Sequence, residues 1–312
     1  MSALLPPLIY HPCYSELTLP ANHRYPIGKY RTLYQRLLAL GVPQSAFYLP
    51  QAIKAQALGL LHEPAYVNAL CQGTLDARAM RRIGFPWSPQ LIARSLTSLG
   101  GTLLCAELAL EQGSALHLSG GYHHAFYAEG SGFCLFNDLA FAALNLQQRG
   151  VGPILIFDCD VHQGDGSAAL FADNSGIITA SLHCEKNFPA RKQRSDWDIG
   201  LERDCTDQTY LEAVSQSLDT LLRWYQPELV LYDAGVDIHR QDDLGLLNIS
   251  TAGVLARDTL VLQRCHDAGI PVAAVIGGGY QRDLQALTQV HLQLFKAAFA
   301  VQGSALWREI ET

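Results

Sequence analysis

No Cys-x-x-Cys pair occurs in this sequence, and its eight cysteines are scattered through apolar segments, so neither a disulfide framework nor a cysteine zinc site is expected. A basic leader is missing too: "MSALLPPLIYHPCYS" carries prolines where the apolar stretch of a signal peptide would run. No window reads as an apolar run of membrane-spanning length. These absences give the expectation of a reducing, cytoplasmic setting and no membrane partner. Charge is sparse, with 16% Asp, Glu, Lys and Arg, a formal net charge of -7 and both signs interspersed. That argues against a phosphate-tracking surface, and nucleic acid is not an expected partner. Internal repeats and Gly/Ser-rich linkers are also lacking, so residues 1–312 are expected to form a single domain.

What is present is apolar material for a large core, 49% of 312 residues. The first thirty residues, rich in proline and aromatics, read as an irregular docked segment, followed by a helical pattern over 30–41. Residues 72–87 read as a long loop. Ser88 and Pro89 supply a cap and a first-turn proline for a helix, and 114–121 follows as a strand. Asp138 can cap a helix over 139–148, which Gly150 ends. Further strands are expected at 154–157, 176–183, 228–235 and 271–279, with helices at 207–225 and 250–268. Short continuous apolar strands alternating with amphipathic helices indicate an α/β fold with a parallel sheet covered on both faces.

Polar residues then gather at strand ends. "ALHL" runs into Gly120-Gly121-Tyr122-His123-His124, "ILIF" into Asp158, Asp160 and His162, "ITASL" into His183, "LVLY" into Asp233 and Asp237, and "AAVI" into Gly277-Gly278-Gly279-Tyr280. Open α/β sheets hold ligands at that carboxyl edge. In "ILIFDCDVHQGDG" three acids and a histidine follow a buried strand, and buried carboxylates are costly unless paired, hydrogen-bonded or bound to a metal. Side chains two apart share a face, so Asp158, Asp160 and His162 point one way and Cys159 and Val161 the other. Asp160 and His162 can then grip one ion, with Asp237 as a third ligand. Two carboxylates, one imidazole and an open position make the catalytic pattern for zinc. A single acid at such a place would more simply cap a helix or pair with an arginine. The adjacent His123 and His124 read as zinc ligands, a proton-transfer pair or polar surface. Asp158 and Asp165 remain to orient one imidazole each. Tyr280, after three glycines, could donate to an oxyanion or pack its ring over a tight turn.

With these residues the chain resembles the zinc-dependent histone deacetylase superfamily, and within it the class IV type and bacterial deacetylase-like proteins. The carrying motifs are "HRYPIGKY" (23–30), "GGYHHA" (120–125), "GSGFCLFNDLA" (130–140), "DCDVHQGDG" (158–166), "AGVD" (234–237), "LGLLNIS" (244–250) and "GGGY" (277–280). The resemblance implies the arginase/deacetylase fold, one α/β domain with a central eight-stranded parallel sheet flanked by helices. It implies Asp160, His162 and Asp237 as ligands of one Zn2+ per chain, His124 as general base and acid, His123 as its electrostatic partner and Tyr280 as the donor to the amide carbonyl. Asp158 and Asp165 stand behind the two histidines. Gly132, Phe133 and Phe188 line the substrate tunnel. Asp158, Asp160, His162, Ser181 and Leu182 match a monovalent-cation site for a structural K+. The implied activity is hydrolysis of an acetyl or longer acyl amide on a lysine side chain of a protein or peptide. A small acylated amine such as an acetylpolyamine is the alternative partner.

Two departures stand out. Gln163 replaces a histidine common among relatives, as in the class IV pattern. The loop "RRIGFPWSPQ" holds no acid to grip a substrate backbone at the rim, which leaves the substrate open. Two rivals are weaker: a two-manganese ureohydrolase wants a closer acid pair than Asp233 and Asp237, and a non-catalytic acyl-lysine reader would not keep every catalytic position filled.

Overall fold

A computed structural model describes residues 5–310. Strands β1 (Leu8–Ile9), β2 (Phe47–Tyr48), β3 (Ser114–His117), β4 (Ile154–Asp158), β5 (Ile177–Cys184), β6 (Trp197–Leu201), β7 (Leu229–Asp233) and β8 (Val272–Val275) form one eight-stranded sheet in the order β2-β1-β3-β8-β7-β4-β5-β6. Every pairing is parallel. Helices α1 (Lys29–Ala39), α2 (Pro64–Gln72), α3 (Ala77–Ile83), α4 (Pro89–Gln112), α5 (Asp138–Gln148), α6 (Asp165–Phe171), α7 (Asp207–Tyr225), α8 (Thr251–Ala268) and α9 (Leu284–Val301) flank it. The single α/β domain agrees with the expectation. The central strands are buried along their whole length, as continuous apolar runs in a two-sided parallel sheet must be.

Helix ends follow their local chemistry. Ser88 caps α4 through Leu91 N, and Pro89 opens its first turn. Ser250 caps α8 through Gly253 N, and Gly269 closes it in the left-handed conformation at φ 68°.

Four expectations are corrected. The 72–87 loop contains α3, capped by Asp76 and stopped by Gly84 at φ 91°; only Ile83 of its seven residues is buried, so no apolar period announces it. The irregular N-terminal segment includes β1, whose Leu8 and Ile9 are fully buried between β2 and β3. The cap of α5 is Asn137, accepting from Ala140 N, while Asp138 is the first helical residue and turns its carboxylate elsewhere. Finally, α4 is long and apolar enough to cross a membrane by length and composition, but 67% of its apolar window is buried inside the fold, which makes it a core helix.

Strand register aligns the working edge. Asp158 sits opposite Asp233, Asp233 opposite Val275 and Val275 opposite His117, so β4, β7, β8 and β3 end at one level, while β5, with Ser181 beside Asp158, runs on to Cys184.

Candidate active site

Beyond β4 the backbone turns around its own carboxylates. Asp160 N donates to Asp158 Oδ1 at 3.0 Å, His162 N to Asp160 Oδ1 at 2.9 Å, and Val161 N to Asp237 Oδ1 at 2.9 Å. Cys159 and Val161 are buried in the core. His162 Nδ1 is thereby aimed between two acids, 3.0 Å from Asp160 Oδ1 and 3.1 Å from Asp237 Oδ2. The latter oxygen accepts no hydrogen bond despite full burial. Gly278 completes the cradle: its N–H donates to Asp160 Oδ2 at 2.9 Å, and a Cβ there would lie 2.1 Å from Asp237 Oδ2. Burial and repulsion by Asp160 push the Asp237 carboxyl up to about 7. Burial works against charge on His162, yet the neighbouring carboxylates of Asp160 and Asp237 outweigh it and raise the ring to about 10. Three buried donors competing for a proton, one of them orphaned, fit a divalent cation. A second buried group, His123, Asp158 and Asp233, lies alongside, and among the described residues neither oxygen of Asp233 has a hydrogen-bond partner.

The two histidines hang on a loop fixed from behind. Gly120 and Gly121 adopt φ 92° and 84°, open to glycine but not to most side chains, and Asp138 accepts from Gly121 N at 3.2 Å and Tyr122 N at 2.7 Å. His123 Nδ1 then meets Asp158 Oδ2 at 2.7 Å, and His124 Nδ1 meets Asp165 Oδ1 at 2.6 Å. Their Nε2 atoms are 3.1 Å apart. For His123, burial opposes the charged form but Asp158 overcomes it, so the pKa lies well above the usual imidazole value. For His124, burial and then the His123 charge lower the pKa to about 4, against the pull of Asp165. The two rings are thus pushed in opposite directions, His123 toward its charged form and His124 toward its neutral form.

Tyr280 closes the other side. Its ring is 6.3 Å from that of His162 and 5.8 Å from that of Phe133. Burial, then Asp160 and Asp237, raise its phenol well above the ordinary value, so it keeps its proton and can donate. Phe188, 42% exposed, stands edge-on to His124 at 4.9 Å between ring centroids. Phe133 holds a left-handed φ of 67°, uncommon for a bulky residue, and a Cβ on Gly132 would come within 2.6 Å of His124. Ser181, beside Asp158 in the sheet, and buried Leu182 lie next to this edge.

Structure adds residues that the motifs gave no role. Tyr25 and His23 from the N-terminal segment pack against Phe85 and Phe133. Lys29 Nζ donates to Gly277 O at 2.9 Å. Arg94, fully buried, donates to the hydroxyls of Tyr25, Tyr30 and Tyr122 and to Tyr14 O. The apolar helix around Arg94 and the "HRYPIGKY" motif were the available signals; neither names a partner.

Residues 23–297 match the histone deacetylase domain family. The chain belongs to that family. Membership indicates a deacetylase, a hydrolase. The chain is 50% identical over 294 residues to an uncharacterized protein of Picosynechococcus sp., covering 94% of this chain and 98% of the other. It is 28% identical to histone deacetylase 2 of Arabidopsis thaliana (88% of this chain, 74% of that one) and 28% identical to the acetoin utilization protein AcuC of Bacillus subtilis (87% and 76%). A crystal structure of an HDAC homolog from Aquifex aeolicus superposes with a TM-score of 0.82 at 23% identity, covering 96% of this chain and 85% of that one. The same figures hold for an HDAC homolog complexed with SAHA, and the HDA15 HD domain gives 0.80 at 20% identity, covering 98% and 90%. In this deacetylase the loop without a rim acid serves as backing: Gly84 and Phe85 lie behind Phe133, and a Cβ on Gly84 would reach its ring at 2.9 Å.

Proposed function

We propose that this deacetylase is a zinc-dependent amidohydrolase that removes acetyl or longer acyl groups from the side-chain amine of an acyl-lysine. The carrying observation is that His124, held through Nδ1 by Asp165, stands beside the Asp160, His162 and Asp237 cluster, its ring 5.9 Å from that of His162, with the ring of Tyr280 6.3 Å from that of His162 on the other side. A Zn2+ held by those three residues supplies Lewis acidity, polarising an amide carbonyl and making water more acidic. His124 accepts the proton of the attacking water at Nε2, the nitrogen turned away from Asp165, exchanging its contact with His123 Nε2 for the water, and delivers it to the leaving amine. His123, charged and fixed by Asp158, keeps His124 a weak base until negative charge develops nearby. The Tyr280 hydroxyl donates to the carbonyl oxygen as it becomes an oxyanion. Phe133 and Phe188 flank the alkyl stem of the lysine, and a cavity of about 20 Å3, room for roughly one water, lies between Phe133, Tyr280 and the histidine pair. A structural K+ between the ends of β4 and β5, and a cytoplasmic setting, belong to the same reading.

The test is a hydrolysis panel of acetyl-lysine peptides, long-chain acyl-lysine peptides and acetylpolyamines, run with zinc-loaded and chelated protein. Zinc-dependent cleavage of the peptides is expected. Cleavage of acetylpolyamines alone would move the substrate to small amines, and full activity after exhaustive chelation would overturn the zinc assignment.

A further inference from the structure

The turn that follows Asp237 carries a second acid, Asp242, half-buried and turned inward. Its Oδ2 accepts the backbone N–H of Tyr280 at 2.6 Å. Its Oδ1 accepts Leu244 N at 2.9 Å and Gly245 N at 3.0 Å, and its own N–H donates to His239 O at 2.9 Å. The turn is anchored on the far side: Asn187 Nδ2 donates to Leu244 O at 3.0 Å, and Asp204 N to Leu246 O at 2.9 Å. Gly245 is pressed onto the peptide of Asp237, since a Cβ there would fall 1.8 Å from Asp237 O.

Tyr280, by contrast, ends a strap of three glycines, two of them at φ 58° and 147°. Glycines bring maximal backbone freedom; Gly277 O is held by Lys29 Nζ and Gly278 by Asp160 and Val236, and the peptide N–H of Tyr280 itself is held by Asp242. One carboxylate with three amide donors joins the end of this strap to the turn behind Asp237, and hydrogen bonds from N–H groups to an ionised acceptor are short and strong. We infer that Asp242 is a positioning residue for Tyr280, setting the hydroxyl against the carbonyl oxygen of the substrate by holding its peptide to the turn after Asp237. This rests on the role proposed for Tyr280 above.

Asp242→Asn tests it. The amide keeps the shape and an oxygen for Leu244 and Gly245, but sets an NH2 against the N–H of Tyr280. Steady-state kinetics on an acetyl-lysine peptide are compared for the wild type, Asp242→Asn, Tyr280→Phe and the double variant, with zinc content and urea midpoint measured for each. Expected is a fall in kcat of about 10- to 100-fold for Asp242→Asn with little change in KM, and no further fall when it is added to Tyr280→Phe, because the two act as one unit. Asp242→Glu, which remains an acceptor only, should recover part of kcat, and its cycle with Tyr280→Phe decides the matter if the Asn protein does not fold. Additive losses in the double variant, or a loss that tracks zinc content, would overturn the inference while leaving the role of Tyr280 standing. A Tyr280→Phe protein as fast as wild type would remove that role, and Asp242's with it.

Discussion

At the scale of single residues, His62 shows how a side chain outside the site supports it. The ring is fully buried; its Nδ1 donates to Phe126 O at 2.8 Å, and its Nε2 accepts from Asn137 N at 3.1 Å. A second proton would destroy the Nε2 acceptor, and burial, opposed only weakly by the backbone carbonyls of Phe126 and Tyr127, lowers its pKa to about 4 from 6.5. Because the folded value lies below the unfolded one, the stabilisation is complete above pH 6.5. It drains away as pH falls toward 4, at about 1.4 kcal/mol per pH unit, since the unfolded chain then binds a proton that the folded chain refuses. Urea midpoints followed from pH 7 to 4.5 should show a shallower decline in His62→Gln than in the wild type, and parallel declines would refute the assignment.

Among elements, α5 decides where the histidine pair sits. Asn137 caps the helix through Ala140 N at 2.9 Å and gives its own Nδ2 to Ser167 Oγ at 2.9 Å and His123 O at 3.3 Å. Asn137→Ala removes cap and donor together and should cost roughly 1–3 kcal/mol by chemical denaturation. Asn137→Asp restores the cap but not the donor and should fall between; equal stability in all three proteins would show that the cap carries nothing. The sequence placed this cap at Asp138, one residue too late: the amides of Gly121 and Tyr122 claim the Asp138 carboxylate, and Asn137 caps instead. Helices α4, α7 and α8 were legible as amphipathic stretches, with a serine cap on α4 and α8 but no capping side chain on α7. Strand β6 was not, because its burial alternates at a sheet edge and "WDIGL" has no continuous apolar run. Strands β1 and β2, two residues each, are too short to carry any period.

For the whole molecule, the governing fact is the negative charge gathered at one sheet edge: Asp158, Asp160, Asp233 and Asp237 are all nearly or wholly buried within a few residues of the ends of β4 and β7. A cation bound there stabilises the folded state alone. Zinc at about 100 times its Kd should therefore add roughly 2.7 kcal/mol, raising the melting temperature in calorimetry, with chelation reversing the gain. Asp237→Ala should abolish the dependence; a melting temperature indifferent to zinc in the wild-type protein would exclude the cluster as a metal site.

The sequence by itself determined that this is an α/β chain whose strands end in acids, histidines and glycines, because continuous apolar runs and helical period are local and each leaves its mark within a dozen residues. Only tertiary structure decided which acid meets which partner. The pairing of Asp158 with His123, of Asp165 with His124 and of Asp242 with the peptide of Tyr280 joins segments distant along the chain, as does the packing of His23 and Tyr25 against Phe85 and Phe133. Such contacts are set by how helices and strands pack against one another, and no local pattern encodes them.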